Sequence, residues 1–268
     1  VTFLDVVFIA LIQGAAEVLP LGASGHLALL PGLSGTPEGR IAVLVAADFG
    51  IVAALMAYFW RDMVAMGRGV AKLAKGRIEP GALLLFKVLA GSLPALGLGW
   101  LFLGLGGGTA SPLTAAVAMV VFGLFLGLAD WLGVTVRRVE HLGWLGVVVI
   151  GLLQAAAAIP GISRTGITIT AARLMGFERQ DAARFSLLLA IPLLAGQALL
   201  HMWSLGQQAP LIFSTDLLLA GAISFAAAWV AVALMMAWLD RHTYAPFAAW
   251  RIVVGLGAAA WIAFSGGL

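Results

Sequence analysis

Long uninterrupted apolar runs dominate the chain, and polar residues gather at their ends or in two short clusters. Residues 41–60, 83–105 and 216–239 are each long enough to cross a hydrocarbon core of about 30 Å. Apolar positions follow one another without alternation, which predicts helices. In lipid only α-helices or closed barrels satisfy the backbone. Further runs at 113–135, 185–203 and 246–264 bring the expected number of spans to about six. Trp60, Trp131, Trp203 and Trp238 fall near span ends, as an interfacial aromatic belt requires.

Two segments break this pattern. Residues 4–30 are interrupted at Leu19-Pro20-Leu21-Gly22, and residues 142–174 at Ile159-Pro160-Gly161. Proline does not continue a helix, and it disfavours helix in the residue before it. Basic residues mark cytoplasmic loops. Arg61, Arg68, Lys72, Lys75 and Arg77 place the loop after residue 60 inside; Arg137 and Arg138, then Arg173, Arg179 and Arg184, then Arg241 mark three more inside positions. The uncharged turns at Gly106-Gly107-Gly108-Thr109 and Gln207-Gln208-Ala209-Pro210 lie outside, and so does the C-terminus. By this parity 142–174 begins and ends inside, so it is not one span but a re-entrant pair of half-helices. Residues 4–30 enter and leave from the other face.

The two broken segments resemble each other. Leu11-Ile12-Gln13-Gly14 aligns with Leu152-Leu153-Gln154-Ala155, and the same offset brings Ser24-Gly25 onto Thr165-Gly166. With opposite entry sides this is the pattern of an inverted repeat, whose discontinuous helices meet near the midplane. The expected fold is an all-α integral membrane protein with two re-entrant broken-helix segments. It forms one membrane domain, 1–268, with halves of approximately 1–135 and 136–268.

Composition agrees. Hydrophobic residues make up 62% and charged residues 10%, against about 25% charged in soluble domains. There is no cysteine, hence no disulfide or thiol chemistry, and a net charge of +3 does not suggest nucleic acid. The first stretch lacks the basic start of a cleavable signal peptide.

Chemistry concentrates at the breaks. Gln13 and Glu17 are one helical turn apart and share a face. A glutamate within a membrane is costly, so Glu17 needs a partner or a task. Ser24 and His26 follow on what reads as a glycine-flanked loop; for His26 the competing reading is a satisfied buried histidine. In the second break, Arg164 is flanked by Ser163, Thr165 and Thr168 and by Gly161 and Gly166. A guanidinium fork among hydroxyls and close backbone suits phosphate, and half-helix N-termini favour anions. Against this stand a snorkelling Arg164 and threonines at 168 and 170 bonded to their own helix. Asp48, within a span, pairs with a polar group or with the site. Lys87 and Arg251, near span ends, are expected to snorkel. No Walker, Rossmann or zinc spacing occurs.

These elements resemble the membrane-embedded undecaprenyl pyrophosphate phosphatases. The likeness lies in Pro160-Gly161-Ile162-Ser163-Arg164-Thr165-Gly166 running on to Thr168, and in Gly14, Glu17, Pro20, Gly25 and His26. It extends to Phe59-Trp60-Arg61, Arg184 to Pro192, Pro246-Phe247-Ala248 and Arg251. It implies hydrolysis of the C55 isoprenoid pyrophosphate to its monophosphate in a bacterial inner membrane, at a site facing the periplasm. A divalent cation, Mg2+ or Ca2+, is expected on Glu17. The expected catalytic residues are Glu17, His26, Arg164 and Ser24; Ser163, Thr165, Thr168, Gly161, Gly166 and Gln13 bind substrate. Partners are the polyprenyl pyrophosphate, membrane lipids and a possible second copy in a homodimer. This chain departs from the family pattern at Gly22 and Ala23, where a Ser-Ser pair is usual. At Gln13 the family has Glu or Gln, so this site is expected to hold one carboxylate. The rival reading is a non-hydrolytic polyprenyl-phosphate transporter or flippase on the same scaffold.

Overall fold

The computed structural model describes residues 1–30, 36–104, 111–208 and 214–264. Eleven α-helices follow one another among them: α1 Phe3–Val18, α2 Ala23–Ala28, α3 Pro37–Tyr58, α4 Trp60–Leu73, α5 Pro80–Gly104, α6 Pro112–Leu132, α7 Trp144–Ala155, α8 Arg164–Leu174, α9 Arg179–Gln208, α10 Thr215–Leu239 and α11 Ala245–Phe264. No strand forms among the described residues. Six of the helices, α3, α5, α6, α9, α10 and α11, are long and apolar enough to cross a membrane. The turn at Gly106 to Thr109 lies outside the described residues, as do Ala209, Pro210 and the last four residues.

Helix starts follow local chemistry. Thr36 caps α3 by accepting from Gly39 N, and Ser111 caps α6 by accepting from Thr114 N; each is followed by proline in the first helical turn. A side-chain oxygen satisfies one of the free N–H groups of the first turn, and proline has no N–H to leave unpaired there.

Each broken segment is two helices joined by a short irregular stretch, at the positions the prolines dictate: α1 and α2 around residues 19–22, α7 and α8 around 159–163. α1 packs against α10 and α3, while α7 packs against α5 and α8. α8 is weakly apolar, yet Arg164 to Ile169 are all buried, enclosed mainly by α6, α7 and α9. A short polar helix survives there because protein rather than lipid covers it.

Two expectations change. Residues 60–73 form α4 rather than a loop. Its basic residues stay exposed while Met66 and Gly69 are buried, and it packs against α5. Arg173 is not a loop charge: it is fully buried at the end of α8. Its Nε donates to Asp130 Oδ1 at 3.0 Å, and Arg179 Nε donates to the same oxygen at 2.7 Å. Tyr244 N donates to Asp130 Oδ2 at 2.8 Å, and Tyr244 Oη donates to Arg179 O at 2.8 Å. Burial, with the Asp130 charge second, pushes the Tyr244 phenol well above its ordinary range, so it remains a donor. Arg184 pairs with Asp62. Charged groups thus tie α4, α6, α8, α9 and the start of α11 together at one end of the bundle. Trp131 and Trp203 are among the most exposed apolar side chains, as belt residues should be.

Candidate active site

The two breaks touch. Gly22, with φ of +87°, lies against Ser163: a Cβ on it would come within 3.2 Å of Ser163 Cβ. Gly161, with φ of +93°, passes so close to α6 that a Cβ would meet Ala115 O at 2.2 Å. Only glycine combines a left-handed backbone with such an approach.

This contact brings the polar residues of both segments to one cavity of about 220 Å³. Arg164 Nε donates to Glu17 Oε1 at 3.0 Å, and Nη2 stands 2.9 Å from the same oxygen. Thr165 Oγ1 donates to Glu17 O at 2.7 Å, which fixes α8 on the end of α1. Arg164 is therefore no snorkelling residue: it is 6% exposed, and its Nη1 has no hydrogen-bond partner among the described residues. Ser163 caps α8, accepting from Gly166 N at 3.1 Å, which leaves its own O–H available to donate. Ser24 lines the same cavity, as do Gln13, Asp48, Gln154, Gln197 and His201.

Other candidates stand elsewhere. Ser24 and His26 lie on a helix rather than on a loop, and residues two apart on a helix do not share a face. Ser24 faces the cavity. His26 Nδ1 contacts Gly22 O at 2.8 Å, and its Nε2 accepts from Trp250 Nε1 at 2.9 Å, a pattern that fits the Nδ1-protonated tautomer. In this arrangement His26 braces α2 against α11 and does not line the cavity. Thr165 and Thr168 are also turned away. Thr168 Oγ1 donates to Arg164 O at 3.0 Å and lies 2.5 Å from Ser186 Oγ. Gly161 and Gly166 form the backing of the site rather than its lining. Arg251 overturns the snorkelling expectation: it is fully buried, and its Nη2 donates to Gly161 O at 2.8 Å. It clamps the break from behind.

Sequence reasoning also undercounted the acid groups. Asp48 Oδ1 accepts from Gln13 Nε2 at 2.8 Å, so the cavity holds two carboxylates, not one. Gln197 and His201 went unnoticed. Their signal was present: two polar residues four apart on one face of an otherwise apolar span, with Leu193 a turn below.

Fold and site together define a multi-pass helical membrane protein with a polar chamber enclosed between two broken helices, built around an arginine. Comparison with known proteins specifies the class. The family described as "Bacitracin resistance protein BacA" matches residues 6–257, and the chain belongs to that family. It is 51% identical over 255 residues to "Undecaprenyl-diphosphatase 1" of Paramagnetospirillum magneticum, covering 95% of this chain and 96% of the relative. It is 46% identical to "Undecaprenyl-diphosphatase 1" of Rhodospirillum rubrum over 260 residues, 94% and 92% of the two chains. "Undecaprenyl-diphosphatase" of Erythrobacter litoralis is 34% identical over 95% of this chain and 97% of its own.

Proposed function

We propose that this chain hydrolyses undecaprenyl diphosphate to undecaprenyl phosphate and orthophosphate, returning a lipid carrier to cell-wall synthesis. The observation that carries the reading is the buried Arg164 guanidinium, set at the N-terminus of α8 with Nη1 unpaired, inside a cavity that both breaks build. Three named undecaprenyl-diphosphatases align with nearly its whole length.

Phosphoryl transfer asks mainly for positioning and charge stabilisation. The pyrophosphate enters the cavity while the isoprenoid tail stays among apolar helix faces. Its oxygens take over the Arg164 fork, which Glu17 occupies in the resting site. The Ser163 hydroxyl and the first N–H groups of α8 add donors where negative charge builds. The bond that breaks joins the bridging oxygen to the terminal phosphorus. The attacking oxygen is a water held beside Ser24, which gives orthophosphate directly, or Ser24 Oγ, which gives a phosphoserine that a water then cleaves to orthophosphate and free Ser24; undecaprenyl phosphate is the leaving group in either case. His26 holds α2 so that Ser24 faces the cavity.

The donor set fits a divalent cation. Glu17 and Asp48 offer carboxylate oxygens, and Gln13, Gln154 and Gln197 offer amide oxygens. No group of three or more His, Cys, Asp or Glu able to hold a metal occurs among the described residues. Mg2+ is commonly held by one or two carboxylates together with substrate phosphates and water. Such an ion on Glu17 would neutralise charge on the pyrophosphate.

We place the protein in the bacterial cytoplasmic membrane with the cavity opening toward the periplasm. What supports this orientation is α9: Arg179 and Arg184 stand at its start, whereas Gln197 and His201 line the cavity in its far half.

Phosphate release by the purified protein in detergent, from farnesyl or undecaprenyl pyrophosphate, with and without EDTA, tests the reading. Arg164→Ala should abolish release while the protein stays monodisperse. Full activity in that variant refutes the assignment. A wild-type protein that moves lipid in vesicles without releasing phosphate favours transport instead.

A further inference from the structure

The cavity holds one more carboxylate than the two motifs supply. Asp48 stands on α3, 6% exposed, and lines the cavity with Glu17 and Arg164. Its one hydrogen-bond partner among the described residues is the neutral amide of Gln13. Arg164 spends its side-chain contacts on Glu17. The guanidinium is thus engaged by Glu17, and Asp48 makes no ion pair among the described residues. A carboxylate buried in a membrane span beside an amide alone is costly unless positive charge completes it. The same wall holds further unmet polar atoms: Arg164 Nη1, and both amide atoms of Gln154, which is 1% exposed. The ligand that completes this set brings positive charge and phosphoryl oxygens together.

We propose that Asp48 is the second cation-binding carboxylate of the site, standing in for the one that α1 lacks at Gln13. The inference rests on the phosphatase reading above. Physically, a carboxylate and an amide face each other across the contact of α1 with α3. Here the acid comes from α3 and the amide from α1. The pair presents the same chemical groups to an ion whichever helix supplies the acid.

Mn2+ is the probe, its binding to the full-length protein measured in detergent without lipid by electron paramagnetic resonance, with phosphate release assayed in parallel. Asp48→Asn keeps the volume and still accepts from Gln13, so the fold is retained. Its Mn2+ affinity is expected to fall about tenfold or more, the size typical of losses around metal sites, and excess Mn2+ should restore part of the phosphate release. Asp48→Glu, which keeps the carboxylate, should retain binding. Gln13→Glu combined with Asp48→Asn puts the acid back on α1 and should recover both Mn2+ affinity and phosphate release. An Asp48→Asn protein that binds Mn2+ like the wild type overturns the inference, whatever its activity. So does a monodisperse exchanged pair that recovers neither property. If Mn2+ binding depends on Asp48 but the wild type releases no phosphate, the enzymatic reading fails and the cation site stands.

Discussion

Arg164 Nε donates to Glu17 Oε1 at 3.0 Å across 147 residues of sequence, and this bond joins the two broken helices at their centre. It also shows how the resting site is neutralised. Glu17 sits on the guanidinium where the substrate's phosphoryl oxygens would bind. Under the proposed function, substrate binding would exchange one anion for another on a preformed fork whose charge Glu17 balances at rest.

A point charge does not replace that fork. Arg164→Lys keeps the charge and still pairs with Glu17, but it offers no planar, two-pronged surface to a phosphate. Phosphate release is expected to fall by about 100-fold or more, in line with the loss of a preorganised donor to a developing anion. Initial rates over a range of lipid concentration check it. Wild-type rates for the lysine protein would show that the geometry of the fork is idle.

The backbone at the second break leaves no room for change. At Gly161 even a methyl group meets Ala115 O at 2.2 Å, on a backbone with φ of +93°. Gly161→Ala should lose about 1–3 kcal/mol from the forced backbone alone. The retained Arg251 clamp on Gly161 O should transmit the shift to Ser163 and Arg164. A lowered Tm in detergent together with reduced phosphate release is the expected pair of results. Loss of stability without loss of activity would mean that the break does not position the arginine.

Much of this was legible beforehand. Pro20 and Pro160 announce the breaks, and an arginine or a glutamate between apolar runs needs a reason to be there. Their meeting followed from repeat and parity. What sequence withheld lay between helices or in helix phase. Asp48 and Gln13 are 35 residues apart, and no local pattern links them. On a glycine-flanked loop His26 would stand beside Ser24; on the helix that forms there, Ser24 faces the cavity and His26 does not. Arg251 looked interfacial because nothing in its own helix revealed that α11 lies behind the Pro160-Gly161 turn.

At the other end of the bundle, Asp130 holds Arg173, Arg179 and the backbone N of Tyr244. Asp130→Asn leaves the fully buried Arg173 without its countercharge. Breaking a buried pair from one side costs about 3–5 kcal/mol. Thermal unfolding in detergent should show a large drop in Tm and a lower yield. The cluster lies away from the cavity, so phosphate release per folded molecule should stay near wild type. Activity lost in proportion to binding, at normal stability, would instead place Asp130 in the catalytic path.

Gln154 separates stability from function most sharply. Its amide nitrogen and oxygen are both buried and without partners among the described residues, although the residue lines the cavity that holds Arg164 and Glu17. An unmet buried polar group costs about 1–3 kcal/mol. Gln154→Leu has similar bulk and removes that penalty, so the empty protein should gain stability. If the amide is there to meet the pyrophosphate or its ordered water, the same variant should bind substrate less tightly and release phosphate more slowly. A higher Tm with a raised KM is therefore the expected combination. A protein both more stable and fully active would show that the amide meets nothing during turnover. A protein less stable than wild type would show that the amide already has a partner, such as a buried water, in the resting state.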